Sequence, residues 1–426
     1  MDAMPQGGDM DRAGRSALAC ALAWTVAPLL AACHQAQPAR TTTISGRVVG
    51  LGPGDVPIAG RRVAAASGGA WATTTSAGDG TFSLQVESVP YALAVDSSVR
   101  AGLWVYLGVS RTDPVLRVSG SPSYPPLKMG ALEGSIAAVC SGAGCSATGG
   151  IVGFEFGAGG DYLVPLLLPP GAGAEPYTVQ AAWQGPDRLP GRLHALTWDA
   201  PAAPGPVPTW CATVTAEAVF GGTSRVDVPA LQPCATAATP VTVLGPAATA
   251  STLLVAHGIV DIPYEGSGWS WPLAGSTSLV DVPTGSEFRT SIRATGQAAS
   301  GEVFWVRAAP VAAGGTGLTL TYRLAPAALE PAEGSVVGAG TRFAWTPAGG
   351  LYRLTLGPIE LTTAASELRL PDLAALGYGY LSGLGDSWTV TASGPEADVD
   401  AVLAPAAPGA PESWGSTSAP RPFVFR

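Results

Sequence analysis

Short runs of alternating polar and apolar residues, broken by glycine and proline, recur from residue 43 to the C-terminal end of the chain. In Thr43-Ile44-Ser45-Gly46-Arg47-Val48-Val49 the alternation puts Ile44 and Val48 on one side, the pattern of a half-buried strand. Residues 57–63 open a second strand, and the β-branched stretch 71–75 a third. Ser76-Ala77-Gly78-Asp79-Gly80 supplies the positive-φ positions of a tight turn, with Asp79 read as a turn residue and not a calcium ligand. Residues 81–86 return with Phe82, Leu84 and Val86 on one face, and 91–95, 103–107 and 115–118 continue the pattern. After a break at 119–126, strands are predicted over 150–156, 177–183, 193–198, 213–219, 241–244, 251–255, 279–282, 303–307 and 318–322. Further strands fall at 341–347, 351–356 and 387–392, with 422–426 as a terminal edge strand. The expected fold class is all-β, a string of antiparallel β-sandwich (Ig/prealbumin-like) domains. No repeat period shows, and the spacing leaves 131–326 open between one large sandwich and two domains.

The N-terminal segment departs from this pattern. Arg12 and Arg15 precede an apolar run over 17–30, the layout of an export signal and too short to be a spanning helix, which needs about 20 residues. Leu30-Ala31-Ala32-Cys33 resembles the lipobox of bacterial lipoproteins. That resemblance implies a signal peptide over 1–32, lipidation at Cys33, a tether over 33–42, and the membrane as a partner through the lipid. His34, where an aspartate is absent, implies a bacterial outer-membrane location with a periplasmic or surface face. The alternative is an ordinary secretory signal in which Cys33 is incidental.

Composition narrows the picture. With 47% hydrophobic residues and 12% charged ones the chain can bury cores, and its length calls for several of them. The expected division is 43–118, a disulfide-containing unit over 131–235, a sandwich over 236–326 separate from or continuous with it, a domain over 328–404, and a loose Pro/Ala-rich tail over 405–426. Net charge is -9 and Lys128 is the single lysine, so no cationic patch suits a phosphate backbone and no nucleic-acid partner is expected. Cys20 falls in the signal, leaving Cys140, Cys145, Cys211 and Cys234 besides Cys33. In an oxidising compartment these form two disulfides, and Cys140–Cys145 with Cys211–Cys234 closes the shortest loops. Zinc is the alternative, disfavoured because the spacing is not CxxC and the nearest histidine is His194.

Two stretches resemble known modules. Gly46-Arg47-Val48, residues 57–63, Thr75 through Gly80 with Phe82, and Tyr91-Ala92-Leu93 resemble the carboxypeptidase regulatory-like domain, a transthyretin-like sandwich. This implies a fold for 43–118 and no catalytic residues; the turn reads Ser-Ala-Gly-Asp-Gly where that family often has Thr-Asp first. Leu329-Glu330-Pro331, Trp345 and the strand around Trp388 resemble a fibronectin type III-like domain over 328–404, which implies that Trp345 is its core tryptophan.

Candidate chemistry is sparse. The histidines are His34 in the tether, His194 on a strand as a half-exposed residue, and His257 at a strand end marking a turn. No nucleophile elbow, zinc-protease helix or phosphate loop occurs. Asp199 beside Trp198, and Glu265 near Trp269 and Trp271, bring acids close to aromatics without singling out a pair. Tyr264, Trp269 and Trp271 lie in a glycine-flanked stretch read as a loop, suited to stacking on a sugar or anchoring a protein; packing at a domain junction is the alternative. The sequence therefore reads as a non-enzymatic cell-envelope lipoprotein without cofactor or metal, presenting β-sandwich modules to an envelope polysaccharide or protein. A glycan hydrolase with its acids in 131–326, or a structural spacer, are the competing readings.

Overall fold

The computed structural model describes residues 41–50, 57–97, 102–118, 128–137, 148–156, 160–168, 174–183, 186–199, 209–246, 250–259, 269–272, 277–285, 288–405 and 412–426. These residues are almost entirely strand, as the alternation predicts, and the fold is all-β.

Three seven-stranded sandwiches share one topology. The first comprises Thr42–Gly50, Arg62–Ala66, Ala72–Thr75, Thr81–Val86, Tyr91–Asp96, Leu103–Val109 and Val115–Val118. One sheet runs fourth–first–seventh and the other third–second–fifth–sixth. The second sandwich repeats this order with Lys128–Ala137, Thr148–Phe156, Gly160–Leu168, Ala174–Trp183, Arg188–Asp199, Thr209–Val219 and Thr223–Arg225. The third does so with Thr236–Leu244, Ala250–Ile259, Trp269–Pro272, Thr277–Pro283, Phe288–Gln297, Val303–Val311 and Leu318–Thr321. In each, the first strand is antiparallel to the fourth and parallel to the seventh, so these antiparallel-rich sandwiches carry one parallel pair apiece. The repeat is one of topology. The three first strands share no residue pattern beyond alternation, and no sequence period betrays it.

The fourth sandwich differs. Ala328–Glu330, Arg342–Trp345 and Glu367–Arg369 form one sheet. Facing it are Leu351–Leu356, Ile359–Thr363, Gly385–Gly394, Glu412–Thr417 and Arg421–Phe425, with Ser335–Val337 parallel to the last. Trp345 is buried in its core, its ring tilted by 52° to that of Tyr352 at 5.4 Å between centroids, and Trp388 lies at right angles to Phe343. Residues 421–425 form a strand, though with neighbours on both sides and not at an edge.

The larger sheet of this fourth sandwich is spliced between two others. Ile359–Thr363 pairs with Leu103–Val109 of the first sandwich, and Glu412–Thr417 with Val303–Val311 of the third, giving one continuous sheet of fourteen strands. Both junctions use the sixth strand of a seven-strand set. The splice explains why Val63-Ala64-Ala65 and Leu93-Ala94-Val95 are buried on consecutive residues. Val63, Ala65, Leu93 and Val95 face the first sandwich's own core, whereas Ala64 and Ala94 join the core of the fourth. A strand covered on both faces loses the polar half of its alternation.

Candidate functional site

The seam between the third and fourth sandwiches is built on tryptophan and glycine. The register places Trp305 opposite Gly415 and Val306 opposite Trp414, while Trp414 faces Gly394 on its other side. A Cβ on Gly415 would stand 2.6 Å from Trp305 Cε2, and one on Gly394 would stand 2.8 Å from Trp414 Cε2, so each ring occupies the space of a missing side chain. Trp414 touches both cores. The Arg293 guanidinium lies 5.1 Å from the Trp305 ring centroid and that of Arg323 5.8 Å from Trp414, cation–π contacts at the two half-buried rings. Ser416 Oγ donates to Leu324 O at 2.9 Å. The sequence reading had 405–426 as a loose tail. Residues 412–417 are instead a strand between two strands, because Glu-Ser-Trp-Gly-Ser-Thr carries a large ring and a bare backbone side by side. That Trp-Gly pair was the overlooked signal.

The seam between the first and fourth sandwiches is carried by an insertion before the Glu412–Thr417 strand. The helix Val399–Val402 is N-capped by Asp398, whose carboxylate accepts from Ala401 N at 2.7 Å. Asp400 reaches into the first sandwich and accepts from Ser110 N at 2.9 Å and Arg111 N at 3.1 Å. Val399 and Leu403 complete that sandwich's core, Val115 N donates to Leu403 O at 2.8 Å, and Arg117 donates to Ala404 O at 3.0 Å. At the other end Tyr378 O–H donates to Gly102 O at 2.8 Å, and Arg62, paired with Asp96 at 2.9 Å, lies over the Tyr378 ring. The hydrogen bond that it donates to Asp96 holds the Arg62 guanidinium above its ordinary pKa. Burial pushes the hydroxyl of Tyr91, which donates to Arg111 O at 2.6 Å, well above the ordinary tyrosine range, and pushes Tyr106 up to about 12.

The second and third sandwiches meet at a disulfide. Cys211 and Cys234 are joined, with 5.4 Å between their Cα atoms, and both pack on the third sandwich's core. Along Arg188–Asp199, Leu193 and Ala195 face the second sandwich's core while Leu196 joins the third's. His194, expected to be half exposed, is fully buried here: Nδ1 lies 2.9 Å from Thr213 Oγ1 and the ring meets Phe288 edge-on at 6.1 Å. Around His194, Leu196 and Cys211 the outer face of this sheet is covered by the neighbouring sandwich, a contact that strand periodicity does not encode.

Of the other sequence-derived sites, Cys33, His34, Cys140, Cys145, Tyr264 and Glu265 lie outside the described residues. Trp269 and Trp271 are on the strand Trp269–Pro272, not in a loop, with Val255 and Leu253 as their cross-strand partners. His257 is likewise within a strand, opposite Thr290. Asp79 serves its turn, accepting from Thr81 N at 3.0 Å and Thr81 Oγ1 at 2.7 Å, bonds that hold its carboxyl below the usual range. No group of three or more His, Cys, Asp or Glu side chains suited to a metal occurs among the described residues. A cleft of about 420 Å³ lies at the end of the fourth sandwich between Leu370, Leu373, Leu381 and Arg426. Its one carboxylate, Asp372, is committed to the backbone N–H groups of Ala374 and Ala375.

No family model and no curated protein matches this chain. Among solved structures, the TIE protein of Bacillus anthracis aligns over 66% of this chain and 49% of its own, at 9% identity and a TM-score of 0.16. The pilus adhesin SpaC of Lactobacillus rhamnosus GG, in an open conformation, aligns over 67% and 43%, at 8% identity and a TM-score of 0.16. A streptococcal ancillary pilin aligns over 66% and 99%, at 8% identity and a TM-score of 0.14. The chain thus spans about half the length of the first of these. At such scores none of the three bears on what this chain does.

Proposed function

We propose that this chain is a non-enzymatic scaffold of the bacterial cell envelope, anchored by a lipid on Cys33 and presenting its sandwiches to an envelope polysaccharide or protein. The observation that carries this reading is the fourteen-stranded sheet running through the third, fourth and first sandwiches. Sandwiches joined by short linkers alone move freely relative to one another. Here main-chain hydrogen bonds, two shared cores and the helix Val399–Val402 tie three of them into one stiff body, the property a presenting scaffold needs. The fourth sandwich, in which a three-stranded sheet faces a larger one over a buried Trp345, supports a fibronectin type III-like module. The order of the first supports a carboxypeptidase regulatory-like one, a module used beside a site and not as one.

Two measurements test the proposal. Fatty-acid labelling of wild type and Cys33→Ala, with envelope fractionation, should show the label and the membrane fraction lost together; label persisting on the variant rejects the anchor. Co-sedimentation of the unlipidated chain with purified envelope polysaccharide should weaken in a Trp269→Ala/Trp271→Ala variant of unchanged circular dichroism. Undiminished binding takes those tryptophans out of the surface.

A further inference from the structure

The three seven-strand sandwiches treat their sixth strands differently. In the first and third, the sixth strand is extended sideways by a strand of the fourth sandwich. In the second, the sixth strand Thr209–Val219 is met, among the described residues, only by the two-residue strand Gln232–Pro233 at Trp210 and Cys211. The direction of its free groups is fixed by two bonds. Phe220 N donates to Asp187 O, so even-numbered residues bond toward Arg188–Asp199; Cys234 N donates to Thr209 O, so odd-numbered residues point outward. Thr213, Thr215 and Glu217 therefore present N–H and C=O groups at the edge. The other outer edges of these larger sheets are less suited to pairing. Ala72–Thr75 is four residues long, Trp269–Pro272 ends in proline, and Gly160–Leu168 is interrupted by Pro165. The free part of Thr209–Val219 contains no proline, and beside its end the apolar side chains of Phe220 and Met129 are 52% and 53% exposed.

We infer that this edge is a dimerisation surface on which a second copy of the chain seats the same strand, antiparallel across a two-fold axis at Ala216. The register is self-complementary. Folding residues 213–219 onto themselves sets Thr215 opposite Glu217 of the second copy, a bonded pair made of outward-pointing groups, and sets Ala216 opposite its own copy. Glu217 then meets a threonine and not another carboxylate, and it keeps its ion pair with Arg188 at 2.6 Å on the outer face. On the inner face Ala216 meets its own copy and Ala218 meets Val214, so an alanine stands in each pair and the two sheets continue without a clash. The partner strand enters the same place in the sandwich that the fourth sandwich's strands occupy in the other two.

The test uses the full exported chain carrying Cys33→Ala, so that no lipid drives association. Thr215→Cys mixed with Glu217→Cys should form a covalent dimer under mild oxidation, because that register holds their Cα atoms about 5.5 Å apart. Either variant alone should give at least tenfold less. Sedimentation should show a concentration-dependent dimer whose dissociation constant rises roughly tenfold or more in Thr215→Pro, which removes an outward donor and leaves the Arg188–Asp199 ladder intact. A monomer at all concentrations, a dimer indifferent to Thr215→Pro, or equal cross-linking in single and mixed samples overturns the inference.

Discussion

At Gly415 a missing side chain makes room for the Trp305 ring of the adjacent strand, so the seam between two sandwiches depends on one hydrogen atom in place of a methyl. Gly415→Val should lower the unfolding free energy by about 2 kcal/mol, the cost of overpacking a filled site. Gly385→Ala, whose new Cβ would find its nearest neighbour at 3.7 Å, should stay within about 0.5 kcal/mol of wild type. Urea unfolding of the two variants side by side decides the point. Tyrosines supply the pH dependence. Tyr106 and Tyr177 are pushed by burial from 10.0 to about 12, so the folded state holds their protons more tightly than the unfolded state does. Their contribution to stability is complete below the unfolded value of 10.0 and is lost as pH rises toward about 12. Melting temperature should fall across that window, and Tyr106→Phe should flatten the fall. Residue roles set by local alternation, such as those of Phe82 and Leu84, were legible in the sequence. Those of His194 and Trp414 were not, because each is decided by a neighbour in a different sandwich.

Among elements, the helix Val399–Val402 does more than its single turn suggests. It sits between two strands of the fourth sandwich yet completes the core of the first through Val399 and Leu403. Asp400→Ala would leave the N–H groups of Ser110 and Arg111 without their carboxylate and should cost about 1–2 kcal/mol, with faster amide exchange at those two residues. Exchange unchanged there would mean that the helix does not hold the first sandwich. Loss of the N-cap in Asp398→Ala should cost about 1 kcal/mol by fraying the turn. The Cys211–Cys234 bridge belongs to this scale too, since it ties the second sandwich's sixth strand to the segment that enters the third. Replacing both cysteines by serine should cost about 2–4 kcal/mol, read from denaturation midpoints. Strands with one wet face were found from sequence to within a few residues. Glu412–Thr417 was missed because proline and alanine around it suggested a loose end, whereas its partners come from two separate sandwiches.

For the molecule as a whole, the splice predicts cooperativity. The first, third and fourth sandwiches should melt together in calorimetry and not as three transitions, since separating them breaks one sheet and two shared cores. The topology repeated three times was invisible to sequence comparison within the chain because strand order, unlike residue identity, leaves no period. The continuous sheet also has a consequence in time. Leu103 pairs with Ile359, and Val303 with Thr417, so the first partner waits for a stretch of chain about 250 residues downstream. A polypeptide delivered N-terminus first exposes the flank of its earliest module for most of its delivery. During that interval the unpaired Leu103–Val109 strand offers a template to any passing β-strand. Folding during delivery is therefore a race between the arrival of the chain's own late segment and capture by a neighbour, and a holdase that shields strand edges should raise its yield more than a factor that speeds disulfide formation.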